Sequence, residues 1–179
     1  MAAATPTGAG VAGAASAADR KIVAFCCREC AYAAADASAN ARTPLPPTVR
    51  LVLMPCTGRV SPLHLLSVLA EGADGVMVAG CLLGQCHYRE GNYNAVDRVT
   101  FVQRMLKSVG VEPERCQMFT MSAGEPPKFV AAVREMDRVI VGLPPLPRSE
   151  AGESRQDLLA GSAVDIGGPA PAVAVRGAA

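Results

Sequence analysis

The chain has 179 residues, enough for one domain with a buried core, and half of its residues are hydrophobic although only 4% are aromatic. Its formal net charge is +1, and no block of basic residues is present that would indicate binding to nucleic acid or to an anionic membrane surface. A membrane span is also not expected, because the sequence contains no run of about eighteen strongly apolar residues.

The two ends of the chain differ in composition from its middle. Residues 1–20 and 146–179 are rich in Ala and Gly and poor in large apolar side chains, which predicts two flexible arms. Residues 21–145 are then expected to form a single α/β domain.

Between the arms, short apolar segments alternate with helical ones. Five strands are predicted, at residues 21–25, 49–54, 75–80, 116–121 and 137–143. One helix should begin after Ser61 as N-cap and end at Gly72, a second should end at Gly110, and a third should follow the two prolines at 126 and 127. This alternation predicts a small, doubly wound parallel sheet with helices on both faces.

The chain contains seven cysteines, and its N-terminus lacks the basic and strongly apolar segments of a secretory signal. A reducing, cytoplasmic compartment is therefore expected, where clustered cysteines favour metal binding or catalysis over structural disulfides. Cys116 opens the fourth predicted strand, so it should lie at the opposite edge of the sheet from the carboxyl ends of the strands and have no role. The other six follow the predicted ends of strands 1, 2 and 3, some directly and some a few residues later: Cys26, Cys27, Cys30, Cys56, Cys81 and Cys86.

The carboxyl ends of parallel strands meet at one edge of the sheet, so these thiols are expected to converge. Cys27 and Cys30 form a C-x-x-C motif, which by itself fits a redox-active dithiol, half of a zinc site or half of an iron-sulfur site. His87 keeps zinc open, but the other cysteines arrive singly, which favours an iron-sulfur cluster. Arg28 and Arg59 are candidate cations beside an anionic cluster.

Three segments carry a resemblance to a known family. "VAFCCRECAYAAADASANARTPLPPTVRLVLMPCTGRVSP", "GADGVMVAGCLLGQCHYREGNYNAVDR" and "VGVEPER" resemble the iron-sulfur (delta) subunit of methyl-viologen-reducing hydrogenase. The resemblance implies a [2Fe-2S] cluster and transfer of electrons between a hydrogenase or formate dehydrogenase and the flavin-containing subunit of a heterodisulfide reductase-type complex. Such a protein has no catalytic chemistry of its own.

The resemblance also implies the cluster ligands. The recurrent cysteines of the family match Cys27, Cys30, Cys56, Cys81 and Cys86, whereas Cys26 is matched only in some members. A [2Fe-2S] cluster takes four thiolates, so one of the five is a spectator, which the sequence does not identify. The sequence departs from the family pattern at Glu29, where Trp is usual, and at Gln85, where Asp is usual.

Residues after the last of these cysteines also match the family, in the form "CHYxxGNY". Tyr88, Glu90, Asn92 and Tyr93 are expected either to cap the following helix and shape the loop or to contact a partner. His87 is not needed as a ligand beside five thiols.

Two classes of function follow from the sequence. The first is an electron-transfer subunit with one [2Fe-2S] cluster. The alternative is a thiol-disulfide oxidoreductase or redox sensor that uses Cys27 and Cys30.

Overall fold

The computed structural model describes residues 19–146, and both predicted arms lie almost entirely outside this range. Within it, four parallel strands form one sheet: β1 (Ile22–Cys27), β2 (Val49–Met54), β3 (Gly75–Gly80) and β4 (Cys116–Thr120). Four helices accompany them: α1 (Ala33–Asn40), α2 (Pro62–Ala70), α3 (Gly91–Ser108) and α4 (Pro126–Gly142). The fold is therefore α/β, as predicted. No helix in residues 19–146 is long and apolar enough to cross a membrane.

The strand order is β2-β1-β3-β4. From β1 the chain moves outward to β2, and from β3 it moves outward in the opposite direction to β4, so the winding reverses between β1 and β3. A crevice opens at the carboxyl ends of two strands where the winding reverses, and doubly wound folds bind their ligands there.

The core has two layers, one on each face of the sheet. One layer contains Ile22, Ala24 and Met77 of the sheet with side chains of α1 and α4, such as Ala34 and Phe129. The other contains sheet residues such as Phe25 and Val78 with apolar residues of α2 and α3. Helices thus cover both faces, which confirms the doubly wound architecture.

The predicted fifth strand, residues 137–143, is wrong. These residues belong to the second half of α4, which continues from Pro126 to Gly142 as one helix. Met136 and Ile140 lie one helical turn apart and both pack against Gly75, where a Cβ atom would come within 2.5 Å of Ile140 Cδ1. The β-branched run at 139–141 resembles a strand in composition, but its packing has helical periodicity.

Other boundaries follow the sequence more closely. Ser61 caps α2 in a capping box with His64, and Gly72 follows with a positive φ of 98°. Strand β1 extends to Cys27, so Cys26 and Cys27 lie within the strand, whereas the sequence predicts that they follow it. A π-helical turn, Arg28–Tyr32, then leads into α1.

At the amino end of the sheet, two buried arginines hold the chain where it leaves α4. Arg20 pairs with Asp74 and donates to the carbonyl of Leu143, and Arg115 donates to the carbonyls of Asp74 and Pro144. Hydrogen bonds to charged groups are stronger than neutral ones, so these contacts tie the start of β1 to the end of α4.

Candidate metal centre

Three thiols meet where the winding of the sheet reverses. Cys27 is the last residue of β1, Cys81 directly follows β3, and Cys30 lies in the π-helical turn after β1. Their sulfur atoms lie within 4.8 Å of one another, and the distance between Cys27 Sγ and Cys81 Sγ is 3.7 Å. All three residues are buried. We call this group the switch-point thiols.

Two further thiols form a second group at the same edge. Cys56 follows β2 after Pro55, and Cys86 lies in the loop between β3 and α3. Their sulfur atoms are 3.8 Å apart, Cys56 is buried and Cys86 is partly exposed. We call them the loop pair. The convergence of five thiols expected from the sequence is thus present in the structure.

The two remaining cysteines do not join these groups. Cys26 points into the core with 0% exposure, and its thiol lies 3.6 Å from the carbonyl oxygen of Ala24. Cys116 is the buried first residue of β4, at the opposite end of the sheet, as predicted. Burial raises the pKa of each of these thiols to about 12, so both stay protonated at neutral pH.

The switch-point thiols are electrostatically coupled. Interaction with the Cys30 thiol is the main cause that lowers the pKa of Cys27 to about 6, with backbone N–H groups of Glu29 and Cys30 contributing. The pKa of Cys30 is raised, chiefly by the same interaction with Cys27 and then by burial. Burial also raises the pKa of Cys81. Without a metal ion, Cys27 is therefore the thiol of this group that ionises first.

The loop pair is similarly divided. Burial raises the pKa of Cys56 to about 11. Burial also acts to raise the pKa of Cys86, but the backbone N–H groups of Tyr88 and Asn92 outweigh it, so that this pKa is lowered. Backbone donors that favour a thiolate also favour an anionic cluster bound to it.

Two glycines allow the loop pair to approach α3. A Cβ atom on Gly91, the first residue of α3, would lie 2.3 Å from Cys56 Sγ and 3.2 Å from Cys86 Sγ. A Cβ atom on Gly58 would lie 2.7 Å from the Cα atom of Gly91. Both positions must therefore lack a side chain for the thiols to sit against the start of the helix.

Two polar residues of α3 hold the loops that carry the thiols. Buried Asn92 donates to the carbonyls of Cys81 and Leu82. Arg98 donates to the carbonyls of Gly58 and Val60, on either side of the turn that follows Cys56. Asn92 was expected from its motif to shape this loop, but sequence analysis did not identify Arg98 or the two glycines. Their signal was an arginine just over one helical turn beyond the motif and glycines that follow cysteines.

Two cavities open beside the thiols. One of about 280 Å³ is lined by Cys30 and Cys81 together with Glu29 and His87, so Glu29 lies where the family's Trp would flank the site. The other, of about 490 Å³, lies beside Cys56 and is lined by Arg59 and Tyr88 among others. Arg59 and Tyr88 are exposed, as are Arg28 and Tyr93.

The thiols fit an iron-sulfur cluster in number and chemistry. Two thiolates on one tetrahedral metal, each with a metal–sulfur distance of about 2.3 Å, are about 3.8 Å apart. The Cys27–Cys81 and Cys56–Cys86 separations of 3.7 and 3.8 Å match this value. The glycine contacts also keep side chains away from the loop pair.

Comparison with known proteins agrees with this site. Residues 22–143 match the family described as methyl-viologen-reducing hydrogenase, delta subunit. The chain belongs to this family.

Individual relatives resemble the chain over the same region. The iron-sulfur subunit of an F420-non-reducing hydrogenase from Archaeoglobus profundus is 44% identical over 124 residues, covering 69% of this chain and 90% of the relative. The vhu iron-sulfur subunit of the F420-non-reducing hydrogenase of Methanopyrus kandleri is 46% identical over 125 residues, covering 70% of this chain and 95% of the relative.

A third relative is a much longer protein. It belongs to the ferredoxin/F420H2-dependent CoB-CoM heterodisulfide reductase of Methanosarcina acetivorans, as one of its subunits, and is 36% identical over 125 residues. The match covers 70% of this chain but only 16% of that relative. A similar domain therefore also occurs as a small part of a heterodisulfide reductase polypeptide.

Proposed function

We propose that this chain is an electron-transfer subunit that carries one [2Fe-2S] cluster at the carboxyl edge of its sheet. The observation that carries the proposal is the convergence of five thiols from three strands, as two close pairs and a fifth thiol beside one of them. When bound, the cluster supplies one-electron redox chemistry. The protein holds it, sets its potential and presents it to partners.

We assign the four ligands from the two close sulfur–sulfur separations. Cys27 and Cys81 would hold one iron, and Cys56 and Cys86 the other, because a [2Fe-2S] cluster has two irons that each take two thiolates. Cys30 would be the spectator, a buried thiol beside Cys27 and Cys81 that acts on the ligand sulfurs.

The family relationship supports the choice of partners. We propose that one partner is a hydrogenase or formate dehydrogenase and the other a flavin-containing protein of the heterodisulfide reductase type. A domain like this one forms part of a heterodisulfide reductase polypeptide in Methanosarcina acetivorans, and a covalent link of that kind favours a working contact between the two. A cytoplasmic location stays a prediction from the cysteine content.

The loops that carry the thiols are proposed to face these partners. Leu83, Tyr88 and Tyr93 are 53%, 55% and 48% exposed next to the site, and aromatic residues are enriched in interface centres. A cluster at a loop edge lies close to the surface, within reach of a cofactor in a docked protein.

The proposal is tested on the full chain purified without oxygen. About two irons and two acid-labile sulfides per chain are expected, with visible absorbance that bleaches when an H2-reduced hydrogenase partner is added. A colourless, iron-free chain that reduces disulfides would instead favour the dithiol function of Cys27 and Cys30.

A further inference from the structure

Strand β2 has the composition of an interior strand but lies at the edge of the sheet. Its six residues, Val49–Met54, are apolar except for Arg50. Leu51, Val52 and Leu53 are 36%, 36% and 41% exposed, whereas β3, of equal length, is buried throughout. Strands that are apolar on both faces are normally covered on both sides, so this edge indicates a missing neighbour.

The edge carries few of the features that prevent pairing with another chain. Prolines flank β2 at positions 47 and 55, but none interrupts it, and its one charge, Arg50, lies near its start rather than at its centre. Within residues 19–146, β1 is the strand that pairs with β2, and the outer edge has no strand beside it. An edge of this kind is a template for an added strand.

The register of the sheet assigns the exposed side chains to faces. Leu51 and Leu53 pair with Ala24 and Cys26, which belong to the core layer under α1 and α4. Val52 pairs with Phe25, which belongs to the layer under α2 and α3. Because parallel neighbours in register point to the same face, the two leucines project to one face and the valine to the other.

The exposed triplet Leu51-Val52-Leu53 reads the same in both directions. A two-fold axis through Val52, perpendicular to the sheet, would place Leu51 of each copy opposite Leu53 of the other, on the same face, and Val52 opposite Val52. In this register Arg50 faces Met54, so no like charges meet across the axis. Both the apolar pattern and the charge position are thus self-complementary, which favours a second copy over a chain of unrelated sequence.

We propose that two copies of this chain pair through antiparallel β2 edges, joining two four-stranded sheets into one continuous sheet. The axis directs the thiol-bearing edges of the two copies to opposite ends of the dimer, because the two β2 strands run in opposite directions. Each site stays open to a redox partner. The proposal does not depend on the identity of the cluster or of its partners.

Sedimentation of the full, cluster-loaded chain tests this pairing. A particle of twice the chain mass of 18.4 kDa is expected at micromolar concentration. Val52→Lys should reduce it to a monomer, because two ammonium groups would meet at the axis. Val109→Lys, at a 72% exposed position just after α3, is the matched control and should stay dimeric.

Mixing complementary variants tests the register. Val52→Glu should also be monomeric alone, while an equimolar mixture of Val52→Lys and Val52→Glu should form dimers that contain one chain of each. Iron content per chain reports whether each variant is folded. If either variant loses iron, Leu53→Lys and Leu51→Glu replace the two, since these positions face each other in the same register.

Three results would overturn the proposal. They are a wild-type chain that is monomeric throughout the concentration range, a Val52→Lys variant that dimerises like the wild type, and a mixture that fails to form mixed dimers. A monomeric wild-type chain would assign the edge to another segment or to a different protein.

Discussion

The switch-point thiols and the loop pair are built in different ways. Cys27 and Cys81 are placed by the ends of two adjacent central strands, so the sheet itself sets their separation. Cys56 and Cys86 lie in loops, and their positions depend on contacts with α3 through Gly58, Gly91 and Arg98. The first group is thus fixed by the fold, and the second by a few local contacts that single substitutions can break.

The largest effect is expected from removing a ligand in either group. Cys81→Ser or Cys56→Ser should lower the iron content strongly and abolish or alter the electron paramagnetic resonance signal of the reduced protein, because a hydroxyl is a poor replacement for a thiolate. Cys30→Ser should keep the cluster and alter only its potential. Cys116→Ser, at the other end of the sheet, is the control. Unchanged spectra in both ligand variants would contradict the site.

Gly91→Ala should damage the loop pair selectively. The added methyl group would overlap Cys56 Sγ, so this thiol or the helix start must move. We expect substoichiometric iron and a cluster that is lost faster to a chelator. Gly124→Ala, where a Cβ atom has no neighbour within 4 Å, is the matched control. Equal chelation rates in the two variants would show that the close approach is not needed.

A smaller effect is expected at Arg98. Arg98→Leu leaves the carbonyls of Gly58 and Val60 without their donor, at a cost of about 1–3 kcal/mol in unfolding free energy. Cluster affinity should fall by about 10- to 100-fold, the usual range for residues that support metal ligands. Arg98→Lys should recover part of the loss. Denaturant unfolding and chelator competition measure the two effects, and an effect on stability alone would exclude a positioning role.

The smallest effect concerns the switch-point thiols and their neighbour Glu29. Glu29→Gln removes a negative charge from the cavity beside Cys30 and Cys81 and changes little else. Reduction adds negative charge to the cluster, so the potential should rise, by roughly 40 mV if the interaction is worth about 1 kcal/mol. Redox titration in low salt measures the shift, which should shrink in high salt. A fall in potential would contradict the electrostatic reasoning.

The sequence predicted the switch-point thiols well because they depend on strand ends. β2 and β3 begin and end where the apolar runs do, and parallel topology then determines which thiols meet. The same reasoning failed at residues 137–143, where three consecutive β-branched residues resemble a strand. There, packing of Ile140 on Gly75 extended the helix instead.

The support of the loop pair could not be predicted in the same way. Whether a Cβ atom fits at Gly91 depends on how closely a loop from another strand approaches, and sequence spacing does not contain that distance. Arg98 likewise acts on a loop 38 to 40 residues earlier in the chain. The exposure of β2 was also missed, because an apolar run does not reveal whether its strand is central or at an edge.

The arginine clamp at the amino end of the sheet has a consequence for how this domain can be joined to others. Arg20 and the Leu143 carbonyl that it binds bring the two described ends of the chain together, at the end of the sheet opposite the thiols. A neighbouring domain fused at either end would start from that side, so fusion need not obstruct the redox edge. This arrangement suits a module that can be inserted into a longer polypeptide, and an affinity tag or fluorescent protein attached there should leave electron exchange unimpeded.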